Sequence, residues 1–350
     1  MAAQQTMRAV EAHDFAIDAL ELVDRPIPTP RRGEILVRVR AATLNYRDLA
    51  ILVDRYLPPL PLPYVPASDA SGEVVEVGEE VTRFKVGDRV LPVYTQGWHD
   101  GRPTPEQRTQ RTLGAPLTGV LQEYVVVPAE DAVATPRHLA DVEAATLPIA
   151  ALTAWSALEE GDVKPGDVVV VQGTGGVALF GLQFARLAGA RVIVLSSSDD
   201  KLRRARELGA DVGINYRTTP DWHLAVKEHT GGRGADIVIE TAGASMNKSL
   251  AALAFGGFIG VVGFVAGYEA TIPIRQLIGP MTRIQGIAVG SRALRGHESR
   301  DHDARPASGH RQRVRTQGRG GRVPSPEERP AFRQDRRDAL RCACIRGWAT

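Results

Sequence analysis

Asp167-Val-Val-Val-Val-Gln-Gly-Thr-Gly-Gly-Val-Ala-Leu-Phe-Gly-Leu-Gln-Phe-Ala-Arg-Leu187 is the stretch whose reading decides the fold. Four consecutive valines, entered through the Pro165-Gly166 turn, read as a strand buried on both faces. The apolar run at residues 177–187 reads as a helix. Between them, Gly173-Thr174-Gly175-Gly176-Val177-Ala178 fits G-x-G-x-x-A. Strand, glycine turn and helix in that order form a dinucleotide-binding arrangement. Gly173 permits the tight turn, Gly175 lets backbone approach a pyrophosphate, and Ala178 lets the helix lie close to the sheet. The helix N-terminus then presents unpaired amides and a partial positive charge to the phosphates. A purely structural turn is the alternative, and the strand-turn-helix context weighs against it.

Downstream, apolar strands alternate with helical segments. Residues 191–195, 235–240, 257–262 and 284–289 read as strands, and 201–208 as a charged amphipathic helix, the pattern of a doubly wound parallel sheet. Cofactor choice falls at the end of the strand at 191–195. An acidic residue there would bind the ribose 2′-hydroxyl of NAD and repel the extra phosphate of NADP. Here Ser196, Ser197 and Ser198 follow, Lys201 comes one turn later, and Tyr216 could close the same pocket. Hydroxyls and an ammonium suit a phosphate dianion, so NADPH is expected over NADH. The alternative makes Lys201 a solvated helix residue and the serines a loop, with Asp199 beside them.

Upstream, residues 7–128 read as short strands punctuated by turns. Gly33-Glu34 opens the run Ile35-Leu-Val-Arg-Val-Arg40. Val74, Val75 and Val77 lie in a second strand, residues 88–93 form a third, and 125–127 end a fourth. The polar stretch at 95–118 is expected to be an exposed loop. The resulting division is residues 1–130 as a β-rich domain, 131–291 as the dinucleotide-binding domain, and 292–350 as a tail of different character. Only Cys342 and Cys344 occur, so neither a disulfide framework nor a cysteine-held structural zinc is available. No uncharged run of about 18 apolar residues exists, and Met1-Ala-Ala-Gln-Gln-Thr-Met-Arg-Ala-Val10 lacks a secretory signal. A cytoplasmic protein without membrane or nucleic-acid partners is expected.

Further motifs occur in a fixed order: Asn45-Tyr-Arg-Asp48, Ser71-Gly-Glu-Val-Val-Glu-Val-Gly78, Phe84-Lys-Val-Gly-Asp-Arg-Val90, Gln122-Glu-Tyr124, Thr146-Leu-Pro-Ile-Ala-Ala-Leu-Thr-Ala-Trp155 and Thr230-Gly-Gly-Arg-Gly-Ala-Asp236. Across about residues 7–291 the chain resembles the zinc-independent medium-chain dehydrogenase/reductases of the quinone oxidoreductase type. The resemblance implies a GroES-like catalytic domain followed by a Rossmann domain, with substrate between them. It further places Asn45 and Asp48 at the cleft, Asn45 near the nicotinamide ribose, Thr153 beside the nicotinamide, and Tyr56 near the substrate oxygen as a proton donor. Gly243 and Val265 would line the nicotinamide pocket through their backbone. Each has a plainer alternative: Asn45 and Asp48 as helix caps, Tyr56 as a packing residue, Thr153 as an ordinary helix residue.

Zinc-dependent relatives keep a Cys in the segment matching residues 41–48, a Gly-His-Glu where this chain has Ala67-Ser68-Asp69, and a second Cys before the Rossmann domain. Here no Cys precedes Cys342, and Ser68 stands where the His would be. No zinc is therefore expected. Without a metal to polarise an alcohol, the resemblance implies reduction of a quinone or an α,β-unsaturated carbonyl by NADPH. An alcohol or aldehyde oxidoreductase is the runner-up, and a catalytically impaired NADPH-binding protein a third reading. Relatives often dimerise through the last Rossmann strand, which implies a homodimer through residues 283–289.

The tail breaks the pattern. Residues 292–350 hold 15 Arg, no Lys and 7 Asp or Glu, whereas the body is mildly acidic. Arginine without lysine, among abundant Ala, Gly and Pro, is what a GC-rich gene gives when read out of frame. A frameshift near residues 291–295 and a poorly structured segment are expected. A basic arm for nucleic acid or anionic lipid is the competing reading.

Overall fold

The structure, a computed structural model, describes residues 5–54, 57, 60–99 and 101–289. Tyr56 and the arginine-rich segment 292–350, with the break expected at its start, lie outside the described residues.

The first domain begins with the antiparallel pair β1 (Thr6–Ala12) and β2 (Leu20–Pro26). There follow β3 (Glu34–Thr43), α1 (Tyr46–Asp54), β4 (Asp69–Val77), β5 (Arg89–Pro92), α2 (Pro105–Gln110), β6 (Tyr124–Pro128) and β7 (Ala132–Ala134). The last five strands form one antiparallel sheet in the order β6-β3-β4-β5-β7. Alternation fixes its inner face: Ile35 and Val37 on β3 and Val125 and Val127 on β6 are all buried in one cluster with Val74 and Val90.

A connector of α3 (Asp141–Ala144), a π-helical turn at Leu147–Ala151 and α4 (Leu152–Glu160) leads into the second domain. That domain runs β8 (Val168–Gln172), α5 (Gly176–Leu187), β9 (Arg191–Ser196), α6 (Asp199–Glu207), β10 (Val212–Asn215), α7 (Trp222–His229), β11 (Ala235–Glu240), α8 (Met246–Ala252), β12 (Leu253–Val261), α9 (Arg275–Ile278) and β13 (Arg283–Gly286). Its six strands are all parallel, in the order β10-β9-β8-β11-β12-β13. The valines of β8 divide between the two faces: Val169 and Val171 enter one core, Val168 and Val170 the other. Strand order reverses beside β8, so the turn that follows it opens at the switch point where α/β sheets bind ligands. The architecture is the GroES-like plus Rossmann pair that the resemblance implies. Among the described residues, no helix is long and apolar enough to cross a membrane.

Three expectations need correction. The stretch at 95–118 is not a simple exposed loop. It contains α2, started by a capping box in which Thr104 accepts from the Gln107 amide and Gln107 accepts from that of Thr104. Thr95, Gln96, Thr112, Leu113 and Ala115 are buried. Second, the first sheet continues past residue 130, because β7 pairs with β5. Third, β13 ends at Gly286, three residues before the strand expected at 284–289.

Candidate active site

The glycine turn has the geometry its sequence demands. Gly173 adopts φ +82°, a left-handed conformation strained for any side chain. Its amide donates to the Leu195 carbonyl at 2.7 Å, tying the turn to β9. Thr174 within the turn is buried. Gly175 caps α5 without a side-chain bond, and the first ladder bond of the helix runs from Leu179 N–H to the Gly175 carbonyl. The amides of Gly176, Val177 and Ala178 precede that bond and are the helix's orphan donors. A Cβ on Gly173 or Gly175 would meet nothing within 4 Å, so open space lies over the turn. That combination fits a diphosphate. Ala178 is buried as expected, and Gly181 one turn later also lies tight on the sheet, where a Cβ would stand 2.7 Å from Ile239 and 3.1 Å from Val171.

At the end of β9, Ser196 is buried, and its carbonyl accepts from the Tyr216 amide at 3.0 Å, which brings the predicted pocket residues Ser196 and Tyr216 together. Ser197 and the half-buried Ser198 and Lys201 follow, Ser198 as the N-cap of α6 with extended backbone. Asp199 Oδ1 accepts from the Asn215 carboxamide at 3.0 Å.

Beneath the turn lies a polar core that the sequence reading missed. Glu240, at the end of β11, has no exposed surface. Its carboxylate accepts from Gln172 Nε2 at 2.7 Å, from the amides of Ala242 and Gly243 at 2.9 and 3.0 Å, and from the hydroxyls of Ser245 and Ser249. Gln172 in turn accepts from the amides of Thr241 and Ala242. This network fixes the turn containing Gly243, whose φ is +78°. Val265, tied by its amide to the Thr241 carbonyl at 3.2 Å, continues the same wall. An acidic residue closing the apolar run Ile237-Val-Ile239 was the available signal.

Facing this wall, the first domain contributes α1. Asp48 accepts from the Asn45 backbone amide at 2.8 Å and so does cap the helix. The Asn45 carboxamide does not; it donates to Asp69 Oδ2 at 3.0 Å. The Ile149 amide reaches the same oxygen at 3.0 Å. Pro148 has no N–H and Ile149 gives its own to Asp69, which accounts for the widened helical turn at this point. Ala150, next along, has its Cβ 3.2 Å from where a Cβ on Gly176 would lie, so this turn touches the carboxyl cluster and the start of α5 together. Burial raises Asp48 to about 6, a rise opposed by the Asn45 amide, Arg47 and Ser68. It raises Asp69 to about 8, with the Asp48 charge adding to the rise. Tyr64 is also pushed up, by burial first and by Asp48 second. Thr153, buried on α4, has a hydroxyl with no hydrogen-bond partner. Tyr46 of the first domain meets Phe264 of the second edge to face at 5.8 Å, a contact the sequence reading did not foresee.

The donor set at this cluster does not suit zinc. Ser68 donates to the Leu113 carbonyl at 2.8 Å, the Asn45 amide is spent on Asp69, and no thiolate or imidazole accompanies them. Arg47 occupies the adjoining space, bonding Ser68, Thr112 and the carbonyls of Leu113 and Ala115. Among the described residues, no three His, Cys, Asp or Glu side chains converge on a point that could hold a metal.

Residues 31–137 match the family profile described as alcohol dehydrogenase GroES-like domain, and residues 176–301 that described as zinc-binding dehydrogenase. A zinc-type alcohol dehydrogenase-like protein of Schizosaccharomyces pombe is 46% identical over 268 residues, 74% of this chain and 77% of that one. A chloroplast envelope quinone oxidoreductase homolog of Arabidopsis thaliana is 32% identical over 251 residues, 69% of each chain. A crystal structure of a Sinorhizobium meliloti 1021 protein, named only provisionally as an alcohol dehydrogenase, superposes with a TM-score of 0.80 at 46% identity, over 87% of this chain and 89% of that one.

Proposed function

Because this chain belongs to the medium-chain dehydrogenase/reductase family, it is an NAD(P)-dependent oxidoreductase, and we propose that it uses NADPH to reduce a quinone or an α,β-unsaturated carbonyl without a metal. The observation that carries this reading is the cluster at Asn45, Ser68 and Asp69, whose side chains bond one another and nearby carbonyls and offer zinc neither sulfur nor imidazole. Alcohol oxidation needs a group that lowers the alcohol's pKa, whereas an electrophilic carbon needs orientation and a proton.

When bound, the reduced nicotinamide supplies hydride to the substrate. The chain's own residues do the rest. The orphan amides of Gly176, Val177 and Ala178 hold the diphosphate. Ser196, Ser197, Ser198, Lys201 and Tyr216 form the pocket for the ribose phosphate that favours NADPH. Asp199 stands beside this pocket with one oxygen bonded by Asn215. Asn45, Thr153, Gly243 and Val265 orient the nicotinamide end, and Asp48 fixes Asn45. A homodimer through the sheet edge at β13, next to exposed Ile278 and Met281, is part of the same proposal and is checked by sedimentation.

NADPH oxidation by purified protein, followed by absorbance with a small benzoquinone and with cyclohexenone, tests the reading. Turnover that survives a chelator supports it. Turnover only with primary alcohols and added zinc overturns it in favour of the alcohol dehydrogenase reading, which the names of two of the relatives favour.

A further inference from the structure

A cavity of about 510 Å³ lies beside Gly243, over the ends of β12 and β13. Its wall is mostly apolar or glycine, with Gly263, Phe264, Tyr268 and Ala288 next to Gly243. Phe264 and Tyr268 stack there with ring centres 4.7 Å apart. Tyr268 and Glu269 are exposed, so on their side the cavity meets solvent. Volume and wall suit a small planar molecule whose unsaturated part lies against the stacked rings.

Among the described residues, Arg108 is the only one of the first domain in this wall. It comes from α2, a helix with no buried residue, and is itself half-buried, so the length of its side chain carries the guanidinium across to the second domain. There its Nη1 is closed off from solvent and has no hydrogen-bond partner. Among the described residues it forms no ion pair either, although Glu269 shares the cavity. A desolvated cationic donor without an acceptor is costly, and the cost is recovered when a negatively charged oxygen enters the cavity beside it. A carboxylate matches the planar fork of a guanidinium in both charge and shape.

We propose that Arg108 is a specificity-determining residue: it receives a carboxylate on the substrate, while Phe264 and Tyr268 flank the substrate's unsaturated part. The preferred substrates are therefore quinones or α,β-unsaturated carbonyls that carry an acid group. This rests on the reductase reading above. Glu269, on the exposed side of the same wall, repels a second negative charge and so weakens the preference without abolishing it.

Two matched pairs read the preference: a benzoquinone with an acetate side chain and a benzylideneacetone with a para carboxylate, each against its methyl ester. With full-length wild type and NADPH, kcat/KM for the acid should exceed that for the ester by about tenfold or more, the worth of one charge-assisted hydrogen bond. In Arg108→Gln the acid-to-ester ratio should fall to about one or below through a higher KM for the acid, with NADPH affinity by fluorescence within about twofold of wild type. In Glu269→Gln the ratio should rise by about twofold, as befits an exposed charge. Equal turnover of acid and ester by the wild type, or a ratio that Arg108→Gln leaves as it was, overturns the role of Arg108 alone. A loss of NADPH affinity in Arg108→Gln with the ratio unaltered gives Arg108 to the nicotinamide carboxamide instead and overturns the role as well. Absence of turnover of any quinone or enone by the wild type sinks the reductase reading and this assignment with it. Should Arg108→Gln fail to fold, Arg108→Lys takes its place: the ammonium keeps the charge and loses the fork, so a ratio equal to that of the wild type overturns the assignment.

Discussion

The glycine turn after β8 and the carboxyl cluster lie on opposite sides of one π-helical turn, yet they are built from different kinds of information. The turn is a single run, from the valines of β8 to Ala178, and its working groups are backbone amides. Its neighbours need only stay out of the way, and a Cβ at Gly175 would touch none of them. The cluster gathers Asn45, Asp69 and Ile149 from three separate segments, and its working groups are side chains whose properties come from burial. A site made of backbone geometry is set by local residue types, whereas a site made of desolvated carboxyls is set by what the fold packs over them.

The sharpest way to break this contrast is Glu240→Ala. It would leave Gln172 Nε2 and the Ala242 and Gly243 amides buried without their acceptor. Unfolding in urea should show a loss on the order of 4 kcal/mol, with Glu240→Gln much milder. If instead stability holds and NADPH binding alone disappears, then the turn depends on distant side chains as much as the cluster does.

Gly175→Asp sharpens the other side. A side chain fits there sterically, but its charge would meet the diphosphate at the helix N-terminus. NADPH affinity should weaken by about 100-fold, roughly 2.7 kcal/mol, with an unchanged urea midpoint. A fall in both would mean that the turn contributes to folding and is not a local device.

Legibility from sequence follows the same division. The strand at residues 168–172, the helix beginning at 176 and the strand at 235–240 could be read because valine runs and glycine spacing are properties of neighbours. The ordered motifs locate Asn45 and Asp48, and the cap that Asp48 makes on α1 is as local as the turn. What could not be read was that the Asn45 carboxamide turns from its own helix to Asp69, because that bond spans 24 residues and exists only when β4 packs beside α1. The tight packing of Gly181 could not be read either, because it depends on Ile239, on another strand. The buried ends of the segment at 95–118 were obscured by its polarity, although Thr104-Pro-Glu-Gln107 carries a helix-start signature, and their anchors to Arg47 and Ser68 are long-range.

The cluster's dependence on burial has a pH signature of its own. Asp69 has an ordinary value of 3.8 and stands at about 8 in the fold. Between these limits the folded chain keeps a proton that the unfolded chain has released, so stability falls as pH rises through the window and levels off above it. Asp69→Asn lacks that titration. Its unfolding free energy relative to wild type should therefore climb by roughly 2 kcal/mol or more from pH 5 to pH 8, as read by urea denaturation. A difference that is flat with pH would mean that Asp69 is charged in the fold.

The smallest effect is expected at Lys201, where the two kinds of encoding meet. The residue belongs to a local pattern, three serines followed one turn later by an ammonium, but it is only half-buried, so solvent and salt weaken what its charge can do. Against the ribose phosphate of NADPH, Lys201→Ala should weaken binding about tenfold, near 1.4 kcal/mol, and leave NADH binding unchanged. The tenfold gap should narrow as ionic strength rises. Equal losses for the two nucleotides would instead assign Lys201 to holding α6 in place, and the choice of NADPH would then rest on the serines and Tyr216 alone.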